Sequence, residues 1–101
     1  MEETFKTLML NPKDLVAVAL EQIPEGATVR VKCDDFSQDI CLKETIKFGH
    51  KFAVKSIAKG QDIIKYGEVI GKASESIEAG RHVHVHNLEG KRGRGDIIGA
   101  N

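Results

Sequence analysis

Three times along this chain an alanine is followed at fixed distances by an isoleucine, a glycine and a β-branched residue. The copies are Ala19, Ile23, Gly26, Val29; Ala53, Ile57, Gly60, Ile63; and Ala73, Ile77, Gly80, Val83. Successive copies are 34 and 20 residues apart, and such unequal intervals exclude a solenoid built on a fixed period. What recurs is one turn chemistry reused inside a single domain. Each copy reads as strand, buried isoleucine anchor, glycine turn and strand. Glycine suits a turn that takes a positive φ, and Pro24 presets its own φ in the first copy. With ten glycines, almost no helical period and several short strands, the expected fold is mostly β, with long crossing hairpins rather than a flat meander.

The segments between the copies are less uniform. Phe5 to Leu10 is a short β-prone run ended by Asn11-Pro12, a dipeptide that initiates turns. Leu15 to Leu20 has two readings: Asn11 can cap a helix with Pro12 in its first position, yet Val16, Val18 and Leu20 also alternate as in a strand. The strand reading is adopted because Ile23-Pro24-Glu25-Gly26 is a tight turn signal and Thr28 to Val31 then alternates polar with apolar residues. Between Cys33 and Lys47 the pattern weakens, and Asp34-Asp35 and Ser37-Gln38-Asp39 point to an exposed excursion.

A chain of 101 residues, 41% hydrophobic and 30% charged, has the makings of one domain with one small core. Lysine plus arginine equals aspartate plus glutamate at 15 each, so no overall field steers the chain toward nucleic acid or anionic lipid. Met1-Glu2-Glu3-Thr4 has no basic or apolar leader character, no apolar run reaches membrane-spanning length, and the expected compartment is the cytoplasm. Cys33 and Cys41 lie in no Cys-x-x-Cys spacing and read as packing or partly exposed thiols rather than a disulfide or a zinc site.

Chemistry concentrates in Gly80 to Leu88, where three of the four histidines alternate with valine. On a strand His82, His84 and His86 would line one face while Val83 and Val85 pack behind it. Same-face neighbours stand about 7 Å apart and the outer pair about 13 Å, so two adjacent imidazoles can converge on one ion but a regular strand cannot deliver all three. A single histidine on a half-exposed strand is ordinarily a tolerated surface residue; three in alternation over an apolar face point to function.

Gly49-His50-Lys51-Phe52-Ala53, then Ile63 through Lys65-Tyr66-Gly67-Glu68 to Gly71, then Ile77 through Gly80 to His86-Asn87, resemble the SAF domain, with its β-clip fold, of the altronate and galactarate dehydratase family. The resemblance covers roughly Asp14 to Leu88 and extends to the small subunits of two-chain members such as sulfolactate sulfo-lyase. It implies a SAF-like domain over residues 1–90, and residues 91–101, with Lys91, Arg92 and Arg94, as the glycine-rich linker that leads to a large catalytic region in single-chain relatives. It further implies a lyase that removes water from a sugar acid using a divalent metal, iron or manganese, shared with a large subunit and inactive without it. Removing a proton α to a carboxylate and expelling hydroxide needs charge stabilisation and proton transfer, which metals and imidazoles supply. On this reading His84 and His86 lie nearest the metal, His50 transfers protons, Lys51 or Lys65 binds the substrate carboxylate, and His82 and Asn87 stand behind them or at a partner contact. Tyr66 and its turn read first as structure. The alternatives are a sulfolactate sulfo-lyase subunit, a non-catalytic module binding a carbohydrate acid or a metal, and a structural adaptor whose histidines bridge an interface; self-association into a homo-oligomer stays open.

Overall fold

Among residues 5–90, which the computed structural model describes, every regular element is a strand. In chain order these are β1 (Thr7–Leu8), β2 (Val16–Ala19), β3 (Thr28–Cys33), β4 (Phe36–Cys41), β5 (Lys51–Ala53), β6 (Asp62–Lys65), β7 (Glu68–Ala73), β8 (His82–Val83) and β9 (Leu88–Gly90). They form a four-stranded sheet in the order β1-β2-β5-β8, the hairpin β3-β4, and a three-stranded sheet β6-β7-β9. The mostly β expectation therefore holds, and Leu15 to Leu20 carries a strand, not a helix. The described residues include no helix long and apolar enough to cross a membrane, and the basic tail at 91–101 lies outside them.

The repeat has a geometric explanation. Ile23, Ile57 and Ile77 are buried, as are the alanines and β-branched residues of their copies, while Gly26, Gly60 and Gly80 take φ of 88°, 86° and 94°. Ile57 and Ile77 pair through two reciprocal N–H···O bonds of 2.8 Å. Gly60 N donates to Ala73 O and Gly80 N to Ala53 O, both at 2.8 Å. Each copy thus closes its partner's turn. The first copy needs a partner too, and finds it in a segment that does not spell the motif: Leu42, Ile46, Gly49, Phe52. Ile23 and Ile46 exchange two bonds of 2.9 Å, Gly26 N donates to Leu42 O, and Gly49 N donates to Ala19 O. The exposed excursion expected between Cys33 and Lys47 is thereby corrected: it holds strand β4 and two fully buried anchors, Leu42 and Ile46. Its polar appearance comes from β4, whose Ser37, Gln38 and Asp39 face solvent on a two-stranded ribbon.

The central sheet is covered on both faces. Ala17, Ala19, Phe52 and Val54 join one apolar cluster with Ile23, Val29 and Ile46; Leu15, Val16 and Ala53 join a second with Ile57, Ile63 and Ile77. A strand with two buried faces has no polar side to alternate with, which is why Leu15 to Leu20 is almost wholly apolar. Asp14, fully buried at the entry to β2, accepts N–H bonds from Leu10 (3.4 Å), Asn11 (3.3 Å) and Gly67 (2.8 Å). It fastens the β6–β7 turn, where Tyr66 and Gly67 both have positive φ, as a two-residue hairpin of the primed type requires.

Candidate functional site

The site grows from the edge of the central sheet. In the β5–β8 ladder Phe52 faces His82 and Lys51 faces Val83. Alternation along β5 sends Phe52 and His50 to one face and Lys51 and Ala53 to the other. His82 and His50 thus project from the same face, from segments far apart in sequence, and meet: His50 Nδ1 and His82 Nε2 are 2.9 Å apart, sharing one proton between them. Their rings stack at 5.0 Å. His84 stacks against both at 5.4 Å, and the His86 ring lies 5.4 Å from that of His82. All four histidines of the chain form one cluster, with His82 in contact with each of the others. His50 and His82 are half-buried; His84 and His86 are exposed.

This grouping does not come from a continuous strand. β8 ends at Val83, and residues 84–87 form a turn in which Asn87 N and Leu88 N both donate to His84 O at 3.0 and 2.8 Å. The expectation that Val85 packs behind the histidines is corrected: Val85 is 78% exposed. The cause is Asn87, whose buried side chain accepts from His84 N (2.9 Å) and donates to His82 O (2.8 Å). Across this bend the His82 and His84 rings lie 5.4 Å apart. Because Arg81 and Val83 face β5, His82 points its own N–H and C=O away from the sheet. Glu44 Oε2 takes the N–H at 3.1 Å and Asn87 takes the C=O, so side chains close the sheet edge where another strand could otherwise add. Replacing Asn87 by Ala leaves buried backbone groups unpaired. Urea unfolding is expected to show a loss of about 1–3 kcal/mol, with the His84 ring resonances displaced.

Burial lowers the His82 pKa, the neighbouring imidazoles of His50, His86 and His84 lower it further, and Glu44 opposes them. His82 is therefore neutral at pH 7 and able to accept a proton. Glu44, which sequence reasoning missed, also lines an open cleft beside the cluster with Glu75, Glu78, Arg81, His86 and Asn87. Its only sequence signal was its place two residues before Ile46 in the unrecognised fourth copy. Lys51 and Lys65 are not brought to the imidazoles. Lys51 leaves the opposite face of β5, its pKa lowered by burial and by Lys65, whose ammonium rests 4.7 Å from the Tyr66 ring centroid.

Imidazole is a suitable donor for iron or manganese, so His84 and His86 are chemically apt. The His50, His82 and His84 rings, however, stack pairwise with interplanar angles of 18–29°, and the His86 ring is tilted by 37° to that of His82. Among the described residues no group of three or more His, Cys, Asp or Glu is placed to hold a metal ion. The cluster suits proton transfer; by itself it does not form a closed metal site.

Known proteins resemble this chain over most of its length. The altronate/galactarate dehydratase SAF domain profile matches residues 5–91. The altronate dehydratase of Escherichia coli K12 is 45% identical over 80 residues, which are 79% of this chain and 15% of that protein. The Bacillus subtilis altronate dehydratase is 39% identical over 81% of this chain and 16% of its own length. The (2R)-sulfolactate sulfo-lyase subunit alpha of Paracoccus pantotrophus is 42% identical over 61% of this chain and 92% of that subunit. The chain thus spans about one-sixth of the dehydratases but nearly the whole of that alpha subunit. By its three glycine-turn copies, its all-strand fold and the match over nearly every described residue, this chain belongs to the altronate/galactarate dehydratase SAF domain family.

Proposed function

We propose that this chain is the small subunit of a lyase that eliminates water from a sugar acid, and that it contributes its histidine cluster to an active site completed by a large companion chain. The observation that carries this reading is the convergence of His50 with His82, His84 and His86 on one solvent-facing edge. Elimination requires one group to take the proton α to the carboxylate and another to protonate the departing hydroxyl. A neutral His82 hydrogen-bonded to His50 is suited to the first, and an exposed His84 or His86 carrying a proton is suited to the second. The open cleft beside His86 leaves the reacting centre wet, whereas such proton transfers need water excluded. A companion chain meets that need. It would also hold the substrate carboxylate, since Lys51 and Lys65 stand behind the sheet, and any iron or manganese would require donors from it.

A second reading is supported by the near-complete coverage of a sulfo-lyase alpha subunit: the same cluster serving an elimination in which a sulfur oxyanion departs in place of hydroxide. The test is to assay altronate, galactarate and sulfolactate with the purified chain alone and with its companion. Turnover is expected only from the complex, and the substrate consumed decides between the readings. Robust turnover by the isolated chain would contradict the subunit role.

A further inference from the structure

The most exposed large apolar side chains among the described residues are Val85, at 78%, and Phe48, at 69%. Both occupy turns that carry the histidines. Phe48 lies in the Lys47–His50 turn, closed by a bond from His50 N to Lys47 O, and Val85 lies between His84 and His86. Because the His50 and His84 rings stack at 5.4 Å, the two turns are neighbours, and each exposes one large apolar side chain. Neither position is a packing accident. The bend fixed by Asn87 swings Val85 out of the core, and the glycine turn at Gly49, with φ of 83°, presents Phe48 at its tip. Glu44, Glu75, Glu78 and Arg81 lie on the polar side of the same edge. Apolar anchors at the centre with charges at the rim is the anatomy of a protein interface. Strand addition is not the mode, because Glu44 and Asn87 already occupy the backbone groups of His82.

We infer that Phe48 and Val85 anchor the face on which the companion catalytic chain docks, seating it directly over the four imidazoles. This rests on the two-chain reading above. The occupant is identified by length: the dehydratase relatives carry further polypeptide more than five times as long as the segment matched here, since that segment is 15–16% of them. The Paracoccus pantotrophus alpha subunit is matched over 92% of its length and so offers little beyond this domain. The catalytic bulk therefore lies outside this domain in both arrangements, and covering exposed apolar side chains beside the imidazoles both buries them and dries the site.

The probe is the companion subunit of the Paracoccus pantotrophus enzyme, titrated by calorimetry against this chain and its variants. Wild type is expected to bind. The double variant Phe48→Asp, Val85→Asp is expected to bind at least about 30-fold more weakly, the scale of a lost buried anchor pair, with thermal unfolding unchanged because both side chains are exposed. Leu10→Asp, equally apolar and 58% exposed but far from the histidine turns in sequence, is expected to bind as wild type does. No binding by the wild-type chain, or equal binding by wild type and double variant, overturns the docking face. A tight wild-type complex that turns over none of the candidate substrates supports the face while removing the lyase reading, so the two stand or fall separately.

Discussion

Gly80→Ala is expected to cost the domain about 2–4 kcal/mol of stability, while the same change at Gly60 costs only about 1 kcal/mol. Both glycines occupy the same position of the same motif, with φ of 94° and 86°, and both substitutions incur the strain of an L-residue in that region, about 1 kcal/mol. Their surroundings differ. A Cβ on Gly60 meets nothing within 4 Å, whereas one on Gly80 collides with the carbonyl of Cys41. That carbonyl cannot easily retreat. Cys41 is paired with Thr28 in the β3–β4 hairpin, and the next turn is tied back by Lys43 N donating to Gly80 O at 2.9 Å. Overpacking against fixed backbone adds about 1–3 kcal/mol, for a total of about 2–4 kcal/mol against a domain stability of about 5–15 kcal/mol. Urea titrations of the two variants decide the matter. Equal midpoints would mean that the end of β4 does not pack on the Gly80 turn as described.

The comparison shows what a motif can and cannot reveal. Three of the four turn copies were legible because Ala, Ile, Gly and a β-branched residue recur at fixed offsets. The remaining copy keeps the same buried positions and the same positive-φ glycine but substitutes Leu42 for alanine and Phe52 for the β-branched residue. Burial constrains hydrophobicity and volume at such positions, not identity, and a pattern defined by identity passes over it. The histidine cluster was half legible. Alternation placed His82 and His84 on one side, but the segment was read as a strand because histidine and valine alternate, and the counter-signal was Asn87, a turn former whose side chain competes with the ladder for backbone groups. The meeting of His50 with His82 depends on β5–β8 pairing, a contact 32 residues apart in sequence, which local pattern cannot encode. Alternation did contain the separation of Lys51 from His50, since adjacent residues of a strand face opposite ways; the resemblance, which presents Gly49-His50-Lys51 as one motif, obscured it.

His82→Ala is expected to lower turnover of the assembled complex by at least about 100-fold, the scale of a lost proton-transfer group, and by no less than His84→Ala or His86→Ala. The resemblance sets His82 behind His84 and His86, and alternation along a strand gives no reason to prefer it. The fold supplies one. His82 alone touches all three remaining imidazoles, its ring nitrogen is 2.9 Å from that of His50, and the protein holds its pKa down by burial and by those neighbours. Its loss therefore removes a neutral base and also the ring on which the other three are arranged. A structural effect is separable from a chemical one. The side chain is only half-buried, so unfolding midpoints should shift little, whereas the His50 ring resonances of the isolated chain should move. His82→Gln, which can keep a hydrogen bond to His50 but cannot take up a proton near neutral pH, should restore the His50 resonances without restoring turnover. If His82→Ala retains turnover within about threefold of wild type while His84→Ala or His86→Ala loses 100-fold, the proton path runs through the two exposed histidines, and the His50–His82 pair serves only to position them.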